Sequence, residues 1–324
     1  MLQAGLALAV LASAPGTRGQ QTPPGPPRVV FIAAASARTI AGRVDAFRTG
    51  LKDLGHVEGR TILVDYLYGE EQLDLIPALV ADAMRRKPDV VVSAGPSVTR
   101  ALRAATSTVP IVMAFDPDPV GAGFVASLAR PGGNVTGLSS VGAQMGSKQL
   151  ELLKEVMPQL RRATVIGNSG EPGNASAAQT LARDATALGV ELTFADVRTA
   201  TDIEPAFATA LRSGAQAVIV LSSPMVTFHA ARFAELSLRQ RLPTVFPYPD
   251  AVEAGALMHY GVSMTDLFRR AAGYVDRILR GAKPAELPVE QPSRFDLVLN
   301  LKAAQRIGMT VPAGVIARAD RIID

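Results

Sequence analysis

The side chains in this 324-residue sequence that could do chemistry sit in short loops directly after apolar runs. Phe115-Asp116-Pro117-Asp118-Pro119 holds two carboxylates between prolines. Asp116 and Asp118 there could meet an ammonium, act as an acid–base pair, or simply make a rigid solvated turn. Ser93-Ala94-Gly95-Pro96-Ser97 opens a helix. Its small residues let a ligand reach the backbone, and free amides at a helix start attract an anion such as a carboxylate. Ser97 serves equally well as a plain helix cap. Ser36 closes a similar small-residue loop, Ala33-Ala34-Ala35-Ser36. Three further loops match these in the second half of the chain: Asn168-Ser169-Gly170-Glu171, Ser222-Ser223-Pro224 and Tyr248-Pro249-Asp250. Asn168, Ser223 and Asp250 add polar groups, and Tyr248 offers either an aromatic wall with a hydroxyl handle or a packing surface. Ser36, Ser93, Gly95, Ser97, Asp116 and Asp118 thus form one set of candidate ligand contacts, and Asn168, Ser223, Tyr248 and Asp250 the other.

Other chemistry lacks its residues. No GxGxxG follows a strand, and GxxxxGK[ST], GxSxG and HExxH are absent, so no cofactor is expected. The chain has no cysteine, which excludes disulfides, thiolate metal sites, a cysteine nucleophile and a lipid-modified N-terminal cysteine. His56, His229 and His259 are too far apart in sequence to form a helical ligand pair. The net charge is +4, yet the basic residues occur as short groups such as Arg85-Arg86-Lys87 and Arg269-Arg270. These read as cations at helix ends, so no nucleic-acid partner is expected. Leu6 to Ala12 is a short apolar run, Ala12-Ser13-Ala14 is a small-x-small cleavage pattern, and a Pro/Gly/Gln-rich stretch follows. Residues 1–27 are read as a signal peptide and linker, though without the usual basic start, and the product as a soluble periplasmic protein.

The elements that must position these loops alternate regularly. Val- and Ile-rich runs at 29–32, 61–66, 90–92 and 111–114 read as strands buried on both faces, separated by helices at 41–54, 75–86 and 98–105. The pattern then recurs, with strands at 163–166, 191–195, 218–221 and 244–246. Val29 and Val165, Gly55 and Gly189, and Pro110 and Pro243 each lie about 130 residues apart, too long a period for a solenoid. The expected fold is α/β, with two similar Rossmann-like lobes, each on a parallel sheet, joined by a hinge. One lobe takes residues 28–138 plus about 264–289, the other 139–263 plus about 290–324. The tail after Gly261 fits neither repeat and is expected to brace the hinge. The Gly-rich Pro131–Gly137 segment reads as a hairpin-like crossing near the junction. In sheets of this kind ligands bind outside the carboxyl ends of the strands, which is where all six loops fall.

Several stretches carry a resemblance. They are Phe47–Arg60, Asp118-Pro119-Val120 with Ser127–Gly137, Lys148–Pro158, and Leu287–Phe295 with Asn300–Ala304. In these the chain resembles the ABC transporter substrate-binding family of the tryptophan/tyrosine type, a periplasmic-binding-protein-like (type I) group, from about Val29 to Ile323. It departs from the family pattern at Asn168-Ser169-Gly170-Glu171-Pro172, where Asn-Pro-x-Asn-Pro is usual, and at Ser93-Ala94-Gly95-Pro96, where Ala-Thr-Gly-Gly is frequent. The resemblance implies a monomeric receptor that closes on a small solute, an amino acid or related carboxylate, and delivers it to an ABC permease and its ATPase. It implies a cleft lined by Ser36, Ser97, Asp118, Asn168 and Tyr248. A ligand sensor feeding a signalling partner, or a doubly wound enzyme using Asp116 or Asp118, are the alternative readings.

Overall fold

The computed structural model describes residues 25–324 apart from Pro172, so the expected signal lies outside the described residues. The first sheet is built from β1 (Arg28–Ala33), β2 (Leu63–Tyr68), β3 (Val90–Ser93), β4 (Ile111–Met113) and β5 (Val135–Gly137). It carries α1 (Ala41–Asp53), α2 (Ile76–Arg85) and α3 (Pro96–Ala105) between its strands. All neighbours are parallel, in the order β2-β1-β3-β4-β5. Val29 to Ala33 are all buried, as a central strand covered on both faces requires.

After α4 (Gly142–Val156) the second sheet follows: β6 (Arg162–Gly167), α5 (Asn174–Ala187), β7 (Glu191–Asp196), α6 (Ile203–Arg212) and β8 (Ala217–Val220). Then come α7 (Pro224–Phe228), α8 (Ala230–Arg239), β9 (Thr244–Phe246), α9 (Asp250–Glu253) and β10 (Met258–Val262). The order β7-β6-β8-β9-β10 repeats that of the first sheet strand for strand. The repeat legible in the sequence is thus a repeat of topology.

The Gly-rich segment departs from expectation. Residues 135–137 are no hairpin; they form β5, a parallel strand beside β4. A run of three residues is too short to announce itself by periodicity. For the same reason β10 and the short helices α7 and α9 escaped the sequence reading.

The tail divides between the lobes. Helix α10 (Met264–Leu279) returns to the first lobe, packing along α1 and over β3, β4 and β5. Phe268 reaches Phe31 at 6.1 Å, and Phe31 reaches Phe47 at 5.5 Å between ring centroids. Strand β11 (Phe295–Asn300) then pairs antiparallel with β10. After α11 (Leu301–Ile307) and α12 (Ala313–Ile316), β12 (Arg321–Ile323) completes the seven-stranded second sheet. The chain therefore passes between the sheets three times, and the passages are stitched together. Ser139 N donates to Glu290 O at 2.9 Å, Glu290 N to Gly137 O at 3.0 Å, and Ser263 N to Arg294 O at 3.3 Å.

Candidate functional site

The two lobes face each other across the carboxyl ends of their strands. Between them lies a cleft with about 540 Å³ of space outside protein atoms, part of it open to solvent. The first lobe contributes the loops after β1 and β3, Ala33–Ala35 and Ala94–Ser97, together with Arg43, Phe115 and Phe268. In a sheet of order 2-1-3-4-5, β1 and β3 flank the point where the strand order reverses, the place a ligand crevice forms. The second lobe contributes Ser222, Ser223 and Tyr248 from the loops after β8 and β9, with Phe228 of α7.

Gly95 leaves the backbone at φ 130°, a conformation side chains strongly disfavour, and a Cβ there would stand 3.4 Å from the Phe115 ring. The tight turn delivers Pro96 and Ser97 to the first turn of α3 at the cleft wall.

Contacts cross the cleft. Arg43 Nη2 donates to Asp250 at 3.1 Å, and its guanidinium lies 5.3 Å from the centre of the Tyr248 ring. Tyr248 meets Phe115 edge-on at 6.5 Å, and its hydroxyl pairs with Ser222. Ser97 Oγ bonds to both oxygens of Glu171, at 3.0 and 3.1 Å, while Arg100 donates to Gly170 O at 3.2 Å. Burial pushes the Tyr248 hydroxyl and the Glu171 carboxyl above their ordinary pKa values.

Of the sequence candidates, Gly95, Ser97, Ser223 and Tyr248 come together at the cleft. The other six do not line it. Ser36 turns to the Thr39 hydroxyl at 2.8 Å. Ser93 is fully buried beneath α3, bonded to Thr99 Oγ1 at 2.7 Å and to Gly95 O at 3.0 Å, so its hydroxyl is spent on the turn. Asp116 is 0% exposed behind Phe115. Its Oδ1 accepts from Asp118 N at 2.9 Å, and its Oδ2 has no protein partner among the described residues. Asp118 accepts from Gly121 N and stands opposite Gly173 of the other lobe. Asn168 folds back on Gly170 N at 2.9 Å. Asp250 holds Arg43 beside a neighbouring hollow. Sequence reasoning missed Arg43, because the strand-end rule selects loops and Arg43 lies just inside α1. It quoted Glu171 without choosing it, since nothing local announces that Ser97 lies across from it.

Two buried titratable groups oppose each other. Desolvation raises Asp116 to about 7 and lowers His259 to about 4; His259 lies on β10 with Nδ1 3.0 Å from Phe246 O. Between about pH 4 and 6.5 the folded chain holds one more proton than the unfolded chain at Asp116 and one fewer at His259, so the contributions cancel. Each is on the order of 3 kcal/mol over its full range. Asp116→Asn is expected to leave His259 alone, with stability falling as pH drops from 7 to 4. His259→Gln is expected to leave Asp116 alone, with stability falling as pH rises from 4 to 7. Urea titrations at a series of pH values check this, and equal slopes in the two variants would contradict it.

This architecture is shared. Residues 29–323 match the family described as ABC transporter substrate binding protein. The chain belongs to that family. A tyrosine-binding protein of Clostridioides difficile is 24% identical over 269 residues, 81% of this chain and 75% of that one. A crystal structure of a conserved domain protein from Vibrio cholerae superposes with TM-score 0.86 at 28% identity, covering 91% of this chain and 99% of that one. An ABC domain in complex with L-Trp from Streptococcus pneumonia reaches TM-score 0.86 at 24% identity, covering 92% and 100%. As an ABC substrate-binding protein the chain has no helix among its described residues long and apolar enough to cross a membrane.

Proposed function

We propose that this ABC substrate-binding protein is the extracytoplasmic receptor of an uptake system. It closes two lobes on a small solute, an amino acid or related carboxylate, and hands it to a permease and its ATPase. The observation that carries the reading is a cleft walled by both lobes at their strand ends, spanned by Arg43–Asp250, Ser97–Glu171 and Phe115–Tyr248. Contacts of this kind form only when the lobes are together, so a ligand that adds to them shifts the population toward the closed state. The moving units are residues 28–138 with 264–289 and residues 139–263 with 290–324, and the three stitched passages are the hinge. The aromatic rings about the cleft, and relatives named for tyrosine or holding L-Trp, support an amino-acid ligand. The receptor acts as a monomer.

The test is a thermal-shift screen of the full chain against amino acids, amines, aromatic acids, dicarboxylates and sugars. A ligand at 100 times its Kd adds roughly 2.7 kcal/mol of apparent stability, a visible rise in Tm. No rise with any compound, for protein shown folded by circular dichroism, would sink the receptor reading.

A further inference from the structure

The Arg43–Asp250 pair stands between the cleft and a second hollow. Arg43 lines both, whereas Asp250, Glu253, His259 and Asp296 line only the second. One wall is the entry to α1, from Thr39 to Arg43, and the other is built from α9, β10 and β11.

His259 is 1% exposed, and its Nδ1 lies 3.0 Å from Phe246 O. A carbonyl oxygen can only accept, so Nδ1 carries the proton and the neutral ring keeps a bare lone pair on Nε2. Desolvation holds the ring neutral at pH 7, with its pKa lowered to about 4. Among the described residues no hydrogen bond uses Nε2. The hollow therefore contains a nearly buried acceptor with no donor to meet it, which is costly to leave unpaired.

The carboxylates around it are half satisfied. Asp250 accepts from Arg43 at Oδ2, Glu253 from Arg321 at Oε1 and Asp296 from Arg294 at Oδ1, at 3.1, 2.6 and 3.2 Å. The second oxygen of each has no hydrogen bond among the described residues. Asp296, Asp250 and Arg321 act on the imidazole through space. Three arginines thus balance three carboxylates in charge, but the Arg294 and Arg321 side chains are 67% and 48% exposed and largely screened by water. The hydroxyls of the lining are already engaged, Thr39 with Glu71 at 2.6 Å and Thr265 with Ser263 at 3.4 Å. Acceptors are left over, and only a ligand bearing N–H groups answers them, most strongly if it is charged. No three His, Asp or Glu side chains among the described residues are grouped closely enough to hold a metal ion. Acceptors so dispersed suit a longer cation with donors at two points.

We propose that this hollow is a second binding site, for a short aliphatic diammonium ion, with one ammonium donating to His259 Nε2 and the other to the unpaired oxygens of the carboxylates. It goes beyond the receptor reading and does not depend on which solute the cleft takes.

The experiment is isothermal titration of the full chain at pH 7 with 1,4-diaminobutane, butylamine, 1,4-butanediol and zinc chloride. The diamine is expected to bind at least about tenfold more tightly than butylamine, and the diol and zinc not at all. His259→Asn keeps a donor for Phe246 O and removes the Nε2 lone pair, and Asp296→Asn removes a charge at the rim. Each should weaken the diamine by about tenfold or more. Circular dichroism and Tm establish that each variant is folded. In the parent protein the imidazole 15N spectrum gives a readout that needs no variant to fold. The His259 Nε2 signal should move upfield as diamine is added, while Nδ1 stays nearly still. Absence of diamine binding overturns the proposal, as does a diol or zinc that binds as tightly as the diamine. So does an unchanged affinity in Asp296→Asn together with an unmoved Nε2 signal. None of these results bears on the cleft, whose own solute is read by the thermal-shift screen.

Discussion

Replacing Tyr248 with alanine is expected to weaken binding of the solute by at least about 100-fold, the largest loss of function from any single side chain in the cleft. Tyr248 is 5% exposed. Its ring is struck edge-on by Phe115 from the opposite lobe, lies under the Arg43 guanidinium, and is held by Ser222 at its hydroxyl. Truncating a buried aromatic removes 3–5 kcal/mol of packing, and 2.7 kcal/mol already corresponds to about 100-fold in Kd. The truncation acts on the closed state twice, by opening the wall and by unseating the arginine. Tyr248→Phe keeps the ring and is expected to stay within about tenfold of the parent, since only one hydroxyl contact is lost. Titration calorimetry on the three proteins decides the matter, and an unchanged Kd in the alanine variant would remove Tyr248 from the site.

Gly50→Leu is expected to destabilise the fold by more than about 3 kcal/mol, at the upper end of what overpacking costs. Gly50 lies where α1 crosses α10. A Cβ there would stand 2.3 Å from the backbone oxygen of Arg269 and 2.8 Å from the Ala272 Cβ. Neither neighbour is the end of a flexible side chain, so the two helices must separate. Separation would also disturb the Phe31–Phe47–Phe268 cluster beneath. Gly42, in the first turn of the same helix, has nothing within 4 Å of its virtual Cβ. Gly42→Ala is therefore expected to be neutral or stabilising by up to about 1 kcal/mol. Urea denaturation of both variants separates a packing effect from a general dislike of substitution in α1. Equal behaviour would contradict the crossing argument.

What the sequence made legible was what depends on period and punctuation. Strands such as Val29–Ile32 and Val218–Val220 are apolar enough to declare a sheet buried on both faces, and Gly55 and Gly189 mark helix ends. The duplicated topology followed from those. The order of strands within each sheet did not, because pairing between Val29 and Val90 is set by packing at long range, not by any local pattern. The site was legible to the level of loops and not of side chains. The strand-end rule picked out Gly95, Ser97, Ser223 and Tyr248, which line the cleft. It also proposed Ser93 and Asp116, whose side chains turn beneath the loop, because whether a residue faces cleft or core depends on a single rotation of the backbone. Arg43 and Glu171 meet partners 207 and 74 residues away, and no spacing rule reports such a pair.

The return of α10 to the first lobe has a consequence for biogenesis. Domains generally fold in order as they emerge during synthesis. Here the first sheet has every strand by residue 137, yet the helix that covers β3, β4 and β5 ends only at Leu279. Until then the apolar face around Val92, Val112 and Phe115 lacks its cover. The nascent chain thus stays incompletely folded for most of its length and commits to its native state only when nearly complete. A truncation just before Met264 should therefore yield an aggregating fragment in place of an independent lobe.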